Sequence, residues 1–183
     1  MILYIHGFKS CGDSKKSRAL RSYFGDDAII APNLSFSPKE AIESLSTIII
    51  EKNIDLLIGS SLGGYYSIYL AQKFDKKAVL INPSLKPFLT LYPFIGKNRR
   101  FCDNLEFIWK MEYIKELIEF KVEKVDLFRY LVLLQSKDEV LNYQEALEFF
   151  RGAKVVVEYS GNHRFENIKD YLCMIERFKN SQR

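Results

Sequence analysis

The chain alternates short apolar runs with longer segments in which apolar residues recur at helical spacing. Each run is apolar at both odd and even positions, which is typical of a strand that is buried on both faces of a parallel sheet. The predicted strands cover residues 2–5, 28–31, 54–58, 77–81, 131–135 and 154–159. The segments between them predict helices, so strands and helices are expected to alternate along the chain.

Helix start signals separate several of these runs. Asp13 or Ser14 caps a first helix, and Ser37 caps a second, where Glu40 is placed to complete a capping box. Three further helices are expected over residues 62–74, 143–150 and about 167–178. We therefore predict one α/β domain over residues 1–183, with a mostly parallel sheet of about six strands and helices on both faces.

Residues 84–126 break this alternation. The segment is rich in aromatic side chains, and a helical part is expected around residues 104–120. Its place in the chain suits a cap or insertion near a site at the edge of the sheet. Phe88, Tyr92 and Phe94 then either bind the acyl chain of a substrate or only pack against the sheet, and the sequence favours neither interpretation.

A Gly-x-Ser-x-Gly pattern follows the third apolar run, at Gly59, Ser61 and Gly63. This spacing is typical of a nucleophile elbow, in which a tight strand-to-helix turn raises the serine hydroxyl above the sheet edge. Glycines, which have no Cβ, fit the close contacts that such a turn creates. Ser61 is therefore the candidate nucleophile, whereas Ser60 occupies a variable position of the pattern.

Two partners follow Ser61 in the order of a Ser–Asp–His triad. Asp138 follows the fifth apolar run and His163 follows the sixth, so both are expected where the carboxyl ends of parallel strands meet. We expect His163 to accept the proton of Ser61 and Asp138 to orient the imidazole ring. The backbone N–H groups of Phe8 and Leu62 are the candidate oxyanion hole.

The position of the acid has competitors. Glu139 is adjacent to Asp138, and Asp126 and Asp103 lie upstream. Asp138 also has a plain structural interpretation, as a carboxylate that caps a helix or a loop. The order of the residues favours Asp138, because it closely follows the end of a predicted strand.

Further residues are expected to support the site without reacting. His6 and Gly7 follow the first predicted strand and are expected to orient the oxyanion loop, so His6 is interpreted as structural and not as a second base. Asn82 closes the fourth predicted strand and is expected to brace the elbow. Gly59 and Gly63 are expected to permit the elbow turn.

Charge and composition narrow the function classes. The chain is 48% hydrophobic and 27% charged, which is ordinary for a globular domain. A net charge of +4 without a nucleic-acid-binding motif argues against a nucleic-acid partner. Lys97, Arg99 and Arg100 fit either an anionic group of the substrate or a solvated loop, and the sequence favours the loop.

The cysteines and the apolar runs exclude other classes. Cys11, Cys102 and Cys173 are far apart, which indicates neither a metal-binding motif nor a disulfide framework and suits a reducing cytoplasm. No run approaches the length of a membrane span, and no signal peptide precedes the first strand. We therefore expect a cytoplasmic protein without metal or cofactor; the sequence indicates no oligomeric state.

Taken together, these motifs resemble the small α/β-hydrolase esterases of the YqiA-like family. The similarity lies in residues 3–8, 58–66, 82–83, 135–143 and 161–165, which together span nearly the whole chain. It implies a compact α/β-hydrolase fold without the early antiparallel strands, and it assigns nucleophile, acid and base to Ser61, Asp138 and His163. Residues 85–101 depart from the family in being unusually aromatic and basic.

The resemblance and the motifs predict the same chemistry. We expect a serine esterase or thioesterase that hydrolyses a small-molecule acyl ester or thioester without a cofactor. An acyltransferase or a peptidase with the same three residues is an alternative. A non-catalytic binding protein with a hydrolase fold is a further alternative, which the presence of all three candidate residues disfavours.

Overall fold

The computed structural model describes residues 1–181, and its centre is a sheet of six parallel strands. The described residues form eight strands in all: β1 (Ile2–Ile5), β2 (Ile29–Ile30), β3 (Leu56–Ser60), β4 (Lys77–Ile81), β5 (Gly96–Arg99), β6 (Glu106–Trp109), β7 (Tyr130–Gln135) and β8 (Lys154–Glu158). The sheet has the order β2-β1-β3-β4-β7-β8, while β5 and β6 form a separate antiparallel pair. The prediction of a mostly parallel sheet of about six strands is confirmed.

Seven helices connect and cover these strands in the described part of the chain. They are α1 (Lys15–Phe24), α2 (Pro38–Glu51), α3 (Leu62–Phe74), α4 (Pro87–Thr90), α5 (Met111–Glu119), α6 (Tyr143–Phe149) and α7 (Leu172–Asn180). A short 3₁₀ turn, Ile168–Tyr171, precedes α7, so the predicted C-terminal helix begins later and ends later than expected.

Alternate residues of each strand face opposite helical layers. In β1, Ile2 and Tyr4 pack with α1 and α7, whereas Leu3 and Ile5 pack with α2 and α3. Both layers exclude water from the central strands, which explains why these strands have apolar residues on both faces. Helices on both faces of the sheet are thereby confirmed.

The predicted caps form in part. Ser14, and not Asp13, caps α1, with Ser17 completing a reciprocal capping box. At α2, the Ser37 side chain accepts from the backbone N–H of Glu40, but the Glu40 carboxylate accepts from a hydroxyl outside the helix. The expected capping box at Ser37 is therefore only half formed.

The segment between β4 and β7 differs from the sequence prediction. The helix expected around residues 104–120 begins only at Met111, because the preceding residues form the hairpin of β5 and β6. In β6, Phe107 and Trp109 are buried while the residues between and before them are exposed, which is the period of a strand. The Phe107 ring stacks on Phe36 with ring centroids 3.8 Å apart, and this contact fixes the hairpin against the core.

Candidate active site

Ser61 occupies a strained turn between β3 and α3. Its φ of 55° and ψ of −117° are rare for a residue with a side chain, and such a conformation costs on the order of 1–3 kcal/mol. Two neighbouring backbone bonds hold it: the Ser61 N–H donates to the Ile81 carbonyl at 3.0 Å, and the Ser84 N–H donates to the Ser61 carbonyl at 3.1 Å. The surrounding fold therefore fixes the direction in which this side chain leaves the sheet.

The two glycines of the pattern are required by close packing. A Cβ at Gly59 would lie 2.2 Å from the Gly63 carbonyl oxygen, and a Cβ at Gly63 would lie 2.0 Å from the Ile5 carbonyl oxygen. Neither backbone atom can retreat without disrupting the sheet or α3. The spacing of the motif thus reflects how closely α3 approaches β1 and β3.

Ser61, His163 and Asp138 form one continuous chain of hydrogen bonds. The Ser61 Oγ lies 3.0 Å from His163 Nε2, and His163 Nδ1 lies 2.8 Å from Asp138 Oδ2. The Asp138 side chain is 2% exposed, and its other oxygen accepts the N–H groups of Val140 and Leu141 at 2.8 Å each. A carboxylate only accepts, so Nδ1 carries the ring proton and Nε2 faces Ser61 as an acceptor.

The competing acids lie elsewhere. The Glu139 carboxylate accepts the backbone N–H of His163 at 2.9 Å and does not contact the ring; this hydrogen bond lowers the pKa of Glu139. Asp103 and Asp126 form ion pairs with arginines three residues away. Among the acids that the sequence left open, Asp138 is the one that contacts the imidazole ring.

A buried polar network, which sequence analysis missed, holds the loop that carries His163. Gln135 is 1% exposed; its Nε2 donates to Glu158 at 2.9 Å and to Asn167 Oδ1 at 2.7 Å, and its Oε1 accepts the Asn162 N–H at 2.9 Å. Hydrogen bonds from Asn167, Gln135 and two hydroxyl groups lower the pKa of Glu158 to about 2. The Glu158 carboxylate therefore stays ionised and anchors the loop.

Asn82 connects the end of β4 to the same loop. Its Nδ2 donates to the Asn162 carbonyl at 3.1 Å, and its Oδ1 accepts the Gln135 N–H at 2.9 Å. β4 lies between β3 and β7 in the sheet, so Asn82 stands between the strand that leads to Ser61 and the strand that leads to Asp138. The sequence predicts that Asn82 braces the elbow, whereas its side chain bonds to the loop that carries His163.

His6 holds the loop after β1 as a neutral ring. The Leu34 N–H donates to His6 Nε2 at 3.2 Å, so the ring proton is on Nδ1 and donates to the Gly7 carbonyl at 2.9 Å. Burial lowers the pKa of His6 to about 4. A Cβ at Gly7 would lie 3.2 Å from Ser61 Cβ, so this loop packs directly against the elbow.

The hydrogen bonds of that loop orient the peptide between Gly7 and Phe8. The Gly7 carbonyl accepts from His6 and from the Ser10 N–H at 3.2 Å. In a trans peptide the N–H points opposite to the carbonyl, so the Phe8 N–H points away from these donors. Leu62 is the first residue of α3, and its N–H has no acceptor within the helix. The N–H groups of Phe8 and Leu62 therefore stay the candidate donors to an oxyanion.

An open cleft of about 910 Å³ contains the Ser61 hydroxyl and the His163 ring. Its walls come from the loop after β1, from α1, from the tip of the β5–β6 hairpin and from the residues that follow His163. The Phe101 N–H donates to the Lys9 carbonyl at 2.8 Å, so the hairpin tip is attached to the loop after β1. The volume suits a small-molecule substrate.

The aromatic residues proposed to bind substrate do not line this cleft. Phe88 packs, partly buried, against the core, and Tyr92 and Phe94 are 54% and 42% exposed. The Phe94 ring contacts Phe8 edge to face at 5.6 Å, so it supports the cleft wall from behind. Phe101, at the hairpin tip, is the aromatic of this segment that reaches the cleft, a placement that spacing alone does not show.

Two classes of feature are absent from residues 1–181. No group of three or more His, Cys, Asp or Glu side chains is arranged to hold a metal ion. Within the same residues, no helix combines the length and the apolar character that crossing a membrane requires.

Solved structures from two other proteins share this fold. The α/β hydrolase domain-containing protein 10 from mouse superposes with a TM-score of 0.76 at 17% identity, over 96% of this chain and 87% of that chain. Est1E from Butyrivibrio proteoclasticus, solved with ferulic acid bound, superposes with a TM-score of 0.67 at 13% identity, over 97% of this chain and 86% of its own. These similarities show the α/β-hydrolase fold.

Sequence comparison identifies the family. The UPF0227 protein YcfP of Escherichia coli O9:H4 is 28% identical over 187 residues, which cover 98% of each chain. The UPF0227 protein VP0969 of Vibrio parahaemolyticus is 28% identical over 189 residues, 99% of this chain and 100% of the relative. The resemblance that the motifs indicate is thereby confirmed. The model of the uncharacterised protein family UPF0227 matches residues 1–180, and the chain belongs to this family.

Proposed function

We propose that the protein is a serine hydrolase that cleaves carboxylic ester or acyl-thioester bonds through an acyl-enzyme intermediate. The observation that carries this proposal is the hydrogen-bonded chain from Ser61 Oγ through His163 to Asp138, with distances of 3.0 and 2.8 Å. A serine hydroxyl is a weak nucleophile, and a base within hydrogen-bond distance activates it. Ser61 and His163 line a cleft at the carboxyl edge of the sheet, where α/β proteins bind their ligands.

The geometry supports a two-step reaction. His163 Nε2 accepts the Ser61 proton as Oγ attacks the carbonyl carbon, and the imidazolium then gives that proton to the leaving alcohol or thiol. The Ser61 acyl ester remains. A water molecule, deprotonated by the same nitrogen, attacks the acyl carbon of this ester. The bond from the acyl carbon to Ser61 Oγ then breaks, the imidazolium returns its proton to Oγ, and the acid is released. Asp138 keeps the proton on Nδ1 and stabilises the imidazolium in both steps.

The oxyanion of each tetrahedral intermediate is assigned to the backbone N–H groups of Phe8 and Leu62. One donor of this kind stabilises the transition state by about 2.7–4 kcal/mol. The N-terminal end of α3 adds the positive end of its dipole at the same place. His6 acts only on the loop that carries Phe8, since both of its ring nitrogens are already bonded, one to the Gly7 carbonyl and one to the Leu34 N–H.

The test is labelling with a fluorophosphonate probe followed by peptide mapping, with hydrolysis of 4-nitrophenyl butyrate measured on the same samples. We expect an adduct on Ser61 and none in Ser61→Ala or His163→Ala. We also expect Ser61→Ala to lower kcat by about 10⁶-fold, as the loss of a triad serine does.

Ser60→Ala is the matched control, because it removes the neighbouring hydroxyl from β3 without touching the proposed nucleophile. It should retain the adduct. If the folded wild-type protein forms no adduct and hydrolyses no ester, the proposal is wrong and the fold serves a non-catalytic function. If Ser61→Ala retains turnover, the mechanism is wrong.

A further inference from the structure

The cleft that contains Ser61 is basic on one side. This side is formed by α1 and by the residues that follow His163. Its basic residues are Lys15, Lys16, Arg18, Arg164 and Lys169. The same lining contains two carboxylates, Asp13 and Glu166, so positive charge is in excess. Positive charge concentrated in a concave wall raises the local concentration of anions.

Lys16 is the most shielded from solvent of these cations, since the other four are exposed. It is half-buried, and no carboxylate of residues 1–181 lies within ion-pair distance of its ammonium group. Asp13 instead pairs with Arg18 at 3.7 Å. Burial lowers the pKa of Lys16 to about 8; Glu166 opposes this effect and Arg164 adds to it. At neutral pH the cleft therefore holds a partly desolvated ammonium that lacks a direct counter-ion, an arrangement that an anion stabilises.

The basic run singled out by the sequence is different. Arg99 pairs with Glu106 at 2.6 Å, and Arg100 pairs with Asp103, so both guanidinium groups already have carboxylate partners. Lys97 is exposed and lies outside the cleft lining. The unpaired positive charge near the candidate nucleophile thus comes from α1 and from the residues that follow His163, and not from the hairpin.

We propose that the substrate of Ser61 carries an anionic group, a carboxylate or a phosphate, that binds at Lys16 while its scissile carbonyl lies at Ser61. This inference rests on the proposed function, since it takes Ser61 as the nucleophile. A carboxylate or phosphate accepts the charge-assisted hydrogen bonds that a lysine ammonium donates. The cleft has room for an ester with a second polar end, because its volume is about 910 Å³.

The test uses two pairs of esters that differ only in charge. In the first pair the charge is on the acyl side: the 4-nitrophenyl monoester of adipic acid is compared with its terminal carboxamide. In the second it is on the leaving group: 4-carboxyphenyl butyrate is compared with 4-carbamoylphenyl butyrate. Rates measured with Ser61→Ala are subtracted as background.

We expect the wild-type protein to prefer the carboxylate in one pair by about 10-fold in kcat/KM, and that pair shows on which side of the ester the anion belongs. Lys16→Gln should bring this ratio close to one, and Lys16→Arg should restore most of it. Lys97→Gln, which removes an exposed lysine outside the cleft, should leave the ratio unchanged. Raising the ionic strength should lower the ratio in the wild-type protein, because salt screens the attraction.

The outcomes separate the two proposals. Turnover of the neutral esters without any preference for carboxylates overturns the inference and leaves the proposed function standing. A preference that survives Lys16→Gln, in a variant whose Ser61 still reacts with the fluorophosphonate probe, also overturns it. If neither pair is hydrolysed by the folded protein, the proposed function fails and the inference fails with it.

Discussion

Two regions of the molecule differ in how their side chains are held. At the carboxyl edge of the sheet, the Asp138 side chain is 2% exposed, and Ser61, Asp138 and His163 each follow a strand of the parallel sheet. Between β4 and β7, Phe94 is 42% exposed and Tyr92 is 54% exposed. At the carboxyl edge, polar contacts fix the positions of the side chains of the candidate site. Between β4 and β7, aromatic packing only supports the wall of the cleft. Substitutions at the edge should therefore affect turnover strongly, and substitutions in the intervening segment should affect it weakly.

Asp138→Asn should give the largest effect of the comparison. The amide keeps the size of the side chain but can direct an N–H toward the imidazole, which favours the wrong tautomer at Nε2. We expect kcat for 4-nitrophenyl butyrate to fall by about 10⁴-fold with little change in thermal stability. Steady-state kinetics and a thermal unfolding curve measure both.

Glu139→Gln is the matched control at the adjacent position. Its amide oxygen can still accept the His163 backbone N–H, so kcat should fall by less than about 3-fold, the range of one weakened exposed hydrogen bond. A larger loss for Glu139→Gln than for Asp138→Asn would show that the acid has been assigned to the wrong residue.

Asn82→Ala should give an intermediate effect. It removes the bonds to Asn162 and Gln135 that position the His163 loop, and it does not touch any reacting group. A displacement of about 1 Å at the reacting groups can lower the rate by 10²-fold, so we expect kcat to fall by about 10- to 100-fold with KM nearly unchanged.

The backbone at Asn82 needs its own control, because its φ is 40°. Glycine tolerates this conformation, so Asn82→Gly separates the loss of the side chain from backbone strain. Both variants should lose kcat to a similar extent, while only Asn82→Ala should lose additional thermal stability. Full activity in Asn82→Gly would show that the network does not position His163.

The same two regions show what the sequence could predict. The sequence singles out Ser61, Asp138 and His163 as candidates because each follows an apolar run, and such runs are readable from pattern alone. The network around Gln135 and Glu158 was missed, because a polar residue at a strand end looks the same whether it is buried or solvated. Only the fold shows that the His163 loop closes over Gln135.

The remaining errors have equally physical causes. The strands of the β5–β6 hairpin have four residues each, and so short an alternation is easily taken for part of the helix that follows it. Lys16 belongs to an amphipathic helix, whose lysines are ordinarily assigned to the solvated face. Its place in the cleft depends on how α1 packs beside the loop after β1, which is a tertiary contact.

The smallest effect should come from the aromatic segment, and a pair of variants tests it. Phe101 lines the cleft and Phe94 does not, although both belong to the region between β4 and β7. With a series of 4-nitrophenyl esters from acetate to octanoate, Phe101→Ala should lower kcat/KM for the longer chains by about 3-fold. That loss corresponds to about 25 Å² of apolar surface that the ring shields from water.

Phe94→Ala should change kcat/KM by less than about 1.5-fold at every chain length, because only the back of Phe8 loses a contact. A length-dependent loss in Phe94→Ala that exceeds the loss in Phe101→Ala would place the acyl chain behind Phe8, outside the described cleft. In that case the segment between β4 and β7 forms the acyl pocket itself, and the contrast between the two regions no longer holds.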